Sequence, residues 1–174
     1  MPTKKPTKAS EKALDELFLE TLKDIYYAEK KILKALPKMS KGANAAELSA
    51  AFDKHLQETE GQVERLEQIF EMLGKPARGK TCPAIDGIIE EGAEILEEFK
   101  GAPALDAGLV AAAQAVEHYE IARYGTLLAW AKALGMQDAA TLLEATLDEE
   151  EATDEALSEL AEGGVNDEAL KHAA

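Results

Sequence analysis

The sequence predicts an all-α domain in which four long helices pack as a bundle and one long crossover carries a short fifth helix. Three observations predict it. Ala, Leu, Glu and Lys dominate the 174 residues while β-branched residues are sparse, which is helical composition. Glycines and prolines fall in clusters that divide the chain into long uninterrupted runs. Within those runs apolar residues recur at spacings of three and four, the period of a helix with one buried face.

Residues 1–9, with Pro2, Pro6, Lys4, Lys5 and Lys8, read as a disordered basic arm. Ser10 is a good N-cap for the first long helix, which runs toward Pro37 and Gly42; Pro37 either kinks it or ends it. Asn44 caps the second helix and Glu47 answers three residues later in a capping-box arrangement. That helix continues to Leu73 and stops at Gly74, a good C′ residue. Residues 75–83 are loop, 84–99 a short amphipathic helix and 100–103 a break. The third long helix spans about Leu105 to Leu134 and stops at Gly135; the fourth begins near Asp138 and ends at Gly163 and Gly164. The bundle domain is therefore 10–164, with 165–174 a loosely attached tail. Each long helix has roughly 25 to 30 residues, about 40 Å at 1.5 Å per residue. Short links make the first and last helix pairs antiparallel hairpins. The connection between the hairpins spans about 30 residues, enough to traverse the bundle, and one such crossover marks the ferritin-like variant of the four-helix bundle.

Charge and composition narrow the function classes. Nineteen Lys and Arg against 34 Asp and Glu give a net charge of −15, which argues against nucleic acid or an anionic membrane as partner. Cys82 is the only cysteine, so neither a disulfide framework nor a thiolate zinc cluster is expected. The histidines are His55, His118 and His172. No apolar run approaches the roughly 20 residues of a membrane span, and the N-terminus lacks the apolar core of a signal peptide. A soluble, cytoplasmic protein is expected.

The apolar stripes contain residues of the wrong chemistry. The first helix reads Phe18, Leu22, Ile25, Glu29, Ile32, Leu36; the second Ala51, His55, Glu58, Gln62, Leu66, Ile69, Leu73. The third reads Val110, Ala113, Glu117, Glu120, Tyr124, Leu127, Ala131, Leu134, and the fourth Leu143, Leu147, Glu150, Asp154, Leu157, Ala161. Buried carboxylates cost several kcal/mol each, and clustering like charges makes the cost worse, unless something offsets the charge. Glu29, Glu58, Glu120 and Glu150 together carry the charge that two divalent cations would neutralise. An oxygen-rich site with a little imidazole suits iron or manganese better than structural zinc. The alternative is a stripe that drifts by a residue over a long helix, leaving a glutamate at its wet edge. The near-equal separations of Glu29 from Glu58 and of Glu120 from Glu150 place two hairpins about a pseudo-twofold axis. His55 is the only imidazole on a suitable face and reads either as a ligand or as a core hydrogen-bonding group; His118 points to solvent or a seam. Tyr26, Tyr27, Tyr119 and Tyr124 read as packing or as electron carriers. Arg123 is a candidate partner for an inward glutamate, Trp130 core or interface, and Cys82 incidental.

The segments DIYYAEKKILKALPKM, HLQETEGQVERLEQIFEMLG, AVEHYEIARYGTLLAWAKALG and LLEATLDEEEATDEALSELA resemble the YciE/YciF-like family of bacterial ferritin-like stress proteins, in order and over roughly residues 12–163. The resemblance implies a four-helix bundle with a di-iron (or di-manganese) carboxylate site, often as a homodimer. It carries over Glu29, Glu58, Glu120, Glu150 and Asp154 as metal ligands; the string EHYE resembles the paired glutamates of rubrerythrin-like proteins and adds Glu117. In the implied centre Glu58 and Glu150 bridge, Glu29 and Glu120 are terminal, and Asp154, Glu117 and His55 complete the shell, leaving positions for O2 or peroxide. Glu-x-x-His, part of the wider ferritin-like pattern, is missing: Gln62 follows Glu58 and Asp154 follows Glu150 at i+4. That departure favours metal binding over rapid oxidative chemistry. Two functions stand open: a ferroxidase- or peroxidase-like protein, and a non-enzymatic structural or interaction protein with a vestigial or structural metal site. In the second, Phe52, Phe70 and Trp130 would furnish a dimer interface.

Overall fold

The computed structural model describes residues 13–170. The basic arm over 1–9, the Ser10 cap, and His172 in the tail lie outside the described residues. Six helices follow in order: α1 (Leu14–Gly42), α2 (Ala46–Met72), α3 (Pro83–Glu98), α4 (Leu105–Ala133), α5 (Gln137–Leu160) and α6 (Asn166–Leu170), the last reached through a wide turn over Ala161–Val165. Pro37 lies inside α1, which continues past it to Gly42. Gly74 and Gly135 follow α2 and α4 with φ of +63° and +71°, a left-handed C′ geometry that glycine adopts without Cβ cost.

Polar pairs between helices fix their directions. Tyr26 reaches Glu67 and Ser40 reaches Asp53 between α1 and α2. Gln114 reaches Ser158 and Lys132 reaches Glu144 between α4 and α5. Tyr119 meets Asp24 between α4 and α1, and Arg65 meets Thr146 and Glu149 between α2 and α5. Neighbours are thus antiparallel around the square, while the diagonal pair α2 and α4 runs parallel. A parallel diagonal requires the chain to return along the bundle after α2, and residues 73–104 make that return. The all-α bundle with one long crossover and a short extra helix is the architecture the sequence predicts.

The crossover is fastened to the bundle at both ends. The Lys80 amide donates to the Lys23 carbonyl (3.0 Å). Asp86 at the start of α3 accepts from Tyr27 and pairs with Lys31 at 2.8 Å. Farther along, α3 lies against α4 where Gly108 offers no side chain: a Cβ there would stand 2.6 Å from Ile95 Cγ2.

The start of α2 differs from expectation. Neither Asn44 nor Glu47 builds a capping box, and no side chain of its own segment caps α2. Asp106, buried in the first turn of α4, accepts from the backbone amides of Asn44 and Ala45, each at 2.7 Å. The cap is supplied across the bundle because the 73–104 crossover returns the chain beside the α1–α2 turn. Asp106→Ala removes two charge-assisted bonds from the amides that open α2 and should lower stability by about 2 kcal/mol. Chemical denaturation with an unchanged m-value checks it.

The core is built from the expected faces, with Phe18, Leu22, Ile25, Leu66, Ile69, Leu127 and Leu143 almost fully enclosed. Phe52 and Phe70, expected at a surface interface, are each 1% exposed and belong to this core. Trp130 is half-buried against it.

Candidate metal centre

All four bundle helices bring polar side chains into the dry interior at mid-length. Glu29 on α1, His55 on α2, Glu117 and Glu120 on α4 and Glu150 on α5 are at most 3% exposed. One donor atom from each of His55, Glu117, Glu120 and Glu150 lies within 4.8 Å of the others. Glu29 adjoins the group closely enough for its charge to act on Glu120. His55 Nδ1 stands 3.0 Å from Glu117 and Nε2 3.8 Å from Glu150.

A second layer orients these groups. The Tyr124 hydroxyl donates to Glu29 Oε1, and the Gln62 amide donates to Glu150 Oε1. Arg65 grips Glu149 with both terminal nitrogens while Gln62 Nε2 also reaches Glu149 (3.2 Å). Arg65 and Glu149 therefore clamp α2 to α5 beside the centre. They lie off the stripes, and their signal is adjacency: Glu149 precedes Glu150, and Arg65 follows Gln62 by one turn.

Electrostatics mark the site as strained without a cation. Burial, followed by the charge of Glu150, pushes the Glu29 carboxyl up to about 8. Burial, with Glu29, Asp154 and Glu58 adding repulsion, pushes Glu117 up to about 8. Burial holds Glu120 and Glu150 well above the usual carboxylate range, with nearby glutamates adding to it. Tyr124 is likewise raised by burial and by Glu29 and Glu120.

Glu58 and Asp154 sit differently. On α2 the buried row passes through His55, Thr59 and Gln62; Thr59 satisfies its hydroxyl on the His55 carbonyl at 2.9 Å. Glu58, one residue off that row, is 22% exposed in its side chain, with Oε1 on Lys54 and Oε2 buried and unpartnered. On α5 the row passes through Thr146, Glu150 and Thr153, so Asp154 faces the seam with α4, held by Gln114 and the exposed His118, each at 3.2 Å. The 3.6-residue turn sets both offsets. Arg123, expected near an inward glutamate, instead pairs with Asp24 (3.4 Å) and lies over the Tyr119 ring. Cys82 is buried and its Sγ stands 3.1 Å from the Tyr119 hydroxyl.

Whether the residues fit a metal can be tested on their unfilled valences. Glu29 Oε2, His55 Nε2, Glu58 Oε2, both oxygens of Glu117 and of Glu120, and Glu150 Oε2 are buried without a hydrogen-bond partner. Buried polar atoms are almost always satisfied. So many orphans around one point, nearly all of them carboxylate oxygens, form the donor set of a hard or borderline cation. The residues fit.

Comparison with known proteins agrees with this architecture. Residues 13–170 match the family model described as Domain of unknown function (DUF892). Protein YciF of Escherichia coli (strain K12) is 45% identical over 159 residues, 91% of this chain and 96% of that protein. The crystal structure of that species' stress protein YciF superposes with a TM-score of 0.85, covering 89% of this chain and 98% of the other. YcfI of Rhodopseudomonas palustris, which bears a provisional structural-protein description, is 49% identical with a TM-score of 0.83 over 87% and 97% of the two chains. A Xanthomonas campestris protein shares the fold at 23% identity and a TM-score of 0.72. With nearly its whole length matched, this chain belongs to the DUF892 family and is similar throughout to YciF.

Proposed function

We propose that the chain is a di-iron carboxylate protein, with manganese as the alternative metal, that oxidises Fe(II) or reduces peroxide at its bundle centre. The observation that supports it most is the set of orphaned carboxylate oxygens supplied by all four helices. Glu29, Glu117, Glu120, Glu150 and His55 would hold the metals; Glu58, with one oxygen already inside, and Asp154 across the seam are the further ligands of the proposal. Bound iron supplies one-electron redox chemistry toward O2 or peroxide. The chain does the rest. Its apolar rows keep bulk water from the centre, which strengthens every charge interaction there. Tyr124 and Gln62 hold Glu29 and Glu150 in place through the oxygen each donates to, leaving the other oxygen toward the interior. The stress role belongs to the same proposal and rests on the likeness to a protein described as a stress protein; the cytoplasmic location rests on the sequence, and the homodimer on the family resemblance.

A non-enzymatic structural role is favoured by one finding, the description carried by the R. palustris relative. Against it stands the loss of its proposed surface, since Phe52 and Phe70 are core residues. Elemental analysis and anaerobic Fe(II) titration decide between the readings. About two ions per chain, followed by oxygen- or peroxide-dependent turnover, supports the first. Metal-free protein that ignores added Fe(II) and Mn(II) overturns it.

A further inference from the structure

A second concavity opens beside the centre. A cavity of about 230 Å3 lies between α1, α3 and α4. Its wall is hydrocarbon: Ile89, Leu96, Ala112, Ala113 and Val116 line it together with Gly92, where an added Cβ would stand 3.4 Å from Ala112 Cβ. Its two ends differ in chemistry. His55 and Glu117, both nearly unexposed, close the inner end. Lys34 and Lys38 are exposed and border the mouth. They stand at i and i+4 on one face of α1, and among the described residues neither has an ion-pair partner. The third lysine at the mouth, Lys31, is already committed to Asp86 at 2.8 Å.

We infer that this cavity binds a free medium-chain carboxylate, its head at Lys34 and Lys38 and its alkyl tail directed toward His55 and Glu117. Three features carry the assignment. The volume is the first: a dry apolar cavity of about 150 Å3 takes up benzene, so this one suits an alkyl chain of about eight to ten carbons. The second is polarity, since a few polar groups in an apolar pocket fix a ligand's orientation. Here the polar groups are two uncommitted cations at the mouth. The third is charge context. In a chain of net charge −15, an anion is repelled from most of the surface, and the lysine row of α1 is a local exception beside an apolar opening. The binding does not depend on the metal reading; it concerns a different volume that shares two wall residues with the centre.

The test uses the full chain stripped of metal by chelation and titrated by calorimetry with decanoate and, separately, with decanol, both kept below aggregation. Saturable binding of one decanoate per chain is expected. Lys34→Glu with Lys38→Glu should weaken decanoate at least tenfold and change decanol less than twofold, because only the carboxylate uses the lysines. Gly92→Leu fills the cavity and should weaken both ligands at least tenfold, with circular dichroism confirming a folded helical chain. If Gly92→Leu does not fold, the lysine pair, being exposed, still decides the matter. Absence of saturable decanoate binding, or equal loss of decanoate and decanol in the lysine variant, overturns the inference. Metal stoichiometry measured on the same lysine variant separates the two readings. A chain that binds decanoate but no metal refutes only the di-iron proposal, and the reverse result refutes only this one.

Discussion

Glutamine at both Glu120 and Glu150 is expected to raise the melting temperature of the metal-free protein while abolishing metal uptake. The usual substitution in a packed interior destabilises; here the sign reverses because the wild-type residues are in the wrong solvent. Burial holds both carboxyls well above their ordinary range. Each therefore holds a proton more tightly in the folded chain than in the unfolded one, which lowers the stability of the metal-free fold toward neutral pH. Glutamine has nearly the same shape and carries no such cost. Its amide can also donate to oxygens that now lack partners on Glu29 and Glu117. Part of the gain is offset by any amide proton left unsatisfied, about 1–3 kcal/mol. The double variant should therefore melt several degrees above the wild-type chain in chelator. Differential scanning calorimetry in chelator gives the first half of the result, and Mn(II) titration the second. A variant that loses stability yet still binds metal would make these carboxylates structural and leave the cation site elsewhere.

That trade of stability for a site also explains what could be read from the sequence. A glutamate inside an apolar row violates the pattern that folds the helix, and such violations concentrate at functional sites. Glu29, Glu117, Glu120 and Glu150 were legible because each breaks a row whose other members are hydrophobic, and all four are buried. His55 was legible as the one imidazole on such a row. The bundle and its crossover were legible from turn chemistry at Gly74 and Gly135 and from the length between hairpins. Rotation about the helix axis was harder. A stripe assigns Glu58 and Thr59 almost equally well to the interior, and only the packing of the folded bundle selects Thr59 as the buried member. The same ambiguity moved Asp154 to the α4 seam, where His118 and Gln114 claim it. Asp106 was invisible because its partners, the amides of Asn44 and Ala45, are far away in sequence. No local pattern encodes a cap supplied by another helix.

Raising the pH should destabilise the metal-free protein and stabilise the metal-loaded one, so that the two melting curves diverge between about pH 4.5 and about pH 8. Glu29 and Glu117 are pushed up to about 8, and Glu120 and Glu150 are held well above their ordinary range. In the unfolded chain such carboxyls release their protons near 4.5. Between those values the folded state binds more protons than the unfolded state, so stability falls as pH rises. For Glu29 and Glu117 the contribution is complete below about 4.5 and is lost as the pH passes through about 8. Each extra proton held by the folded chain adds about 1.4 kcal/mol per pH unit to the slope. Glu20, lowered to about 2 by Lys23 and Lys80, acts in the opposite sense but only below its unfolded value, outside this window. Cations reverse the trend because they replace the protons: binding requires deprotonated ligands, strengthens with pH and stabilises the folded state that holds it. Melting temperatures from pH 5 to 9, in chelator and in saturating Mn(II), measure both arms. Calorimetry in two buffers of different ionisation enthalpy counts the protons released on binding. General repulsion in an acidic chain would also lower stability at high pH, and the glutamine double variant separates the causes: it should flatten the metal-free slope if the interior carboxyls produce it. Parallel curves with and without metal, and no proton release, would mean that these four groups do not share a cation.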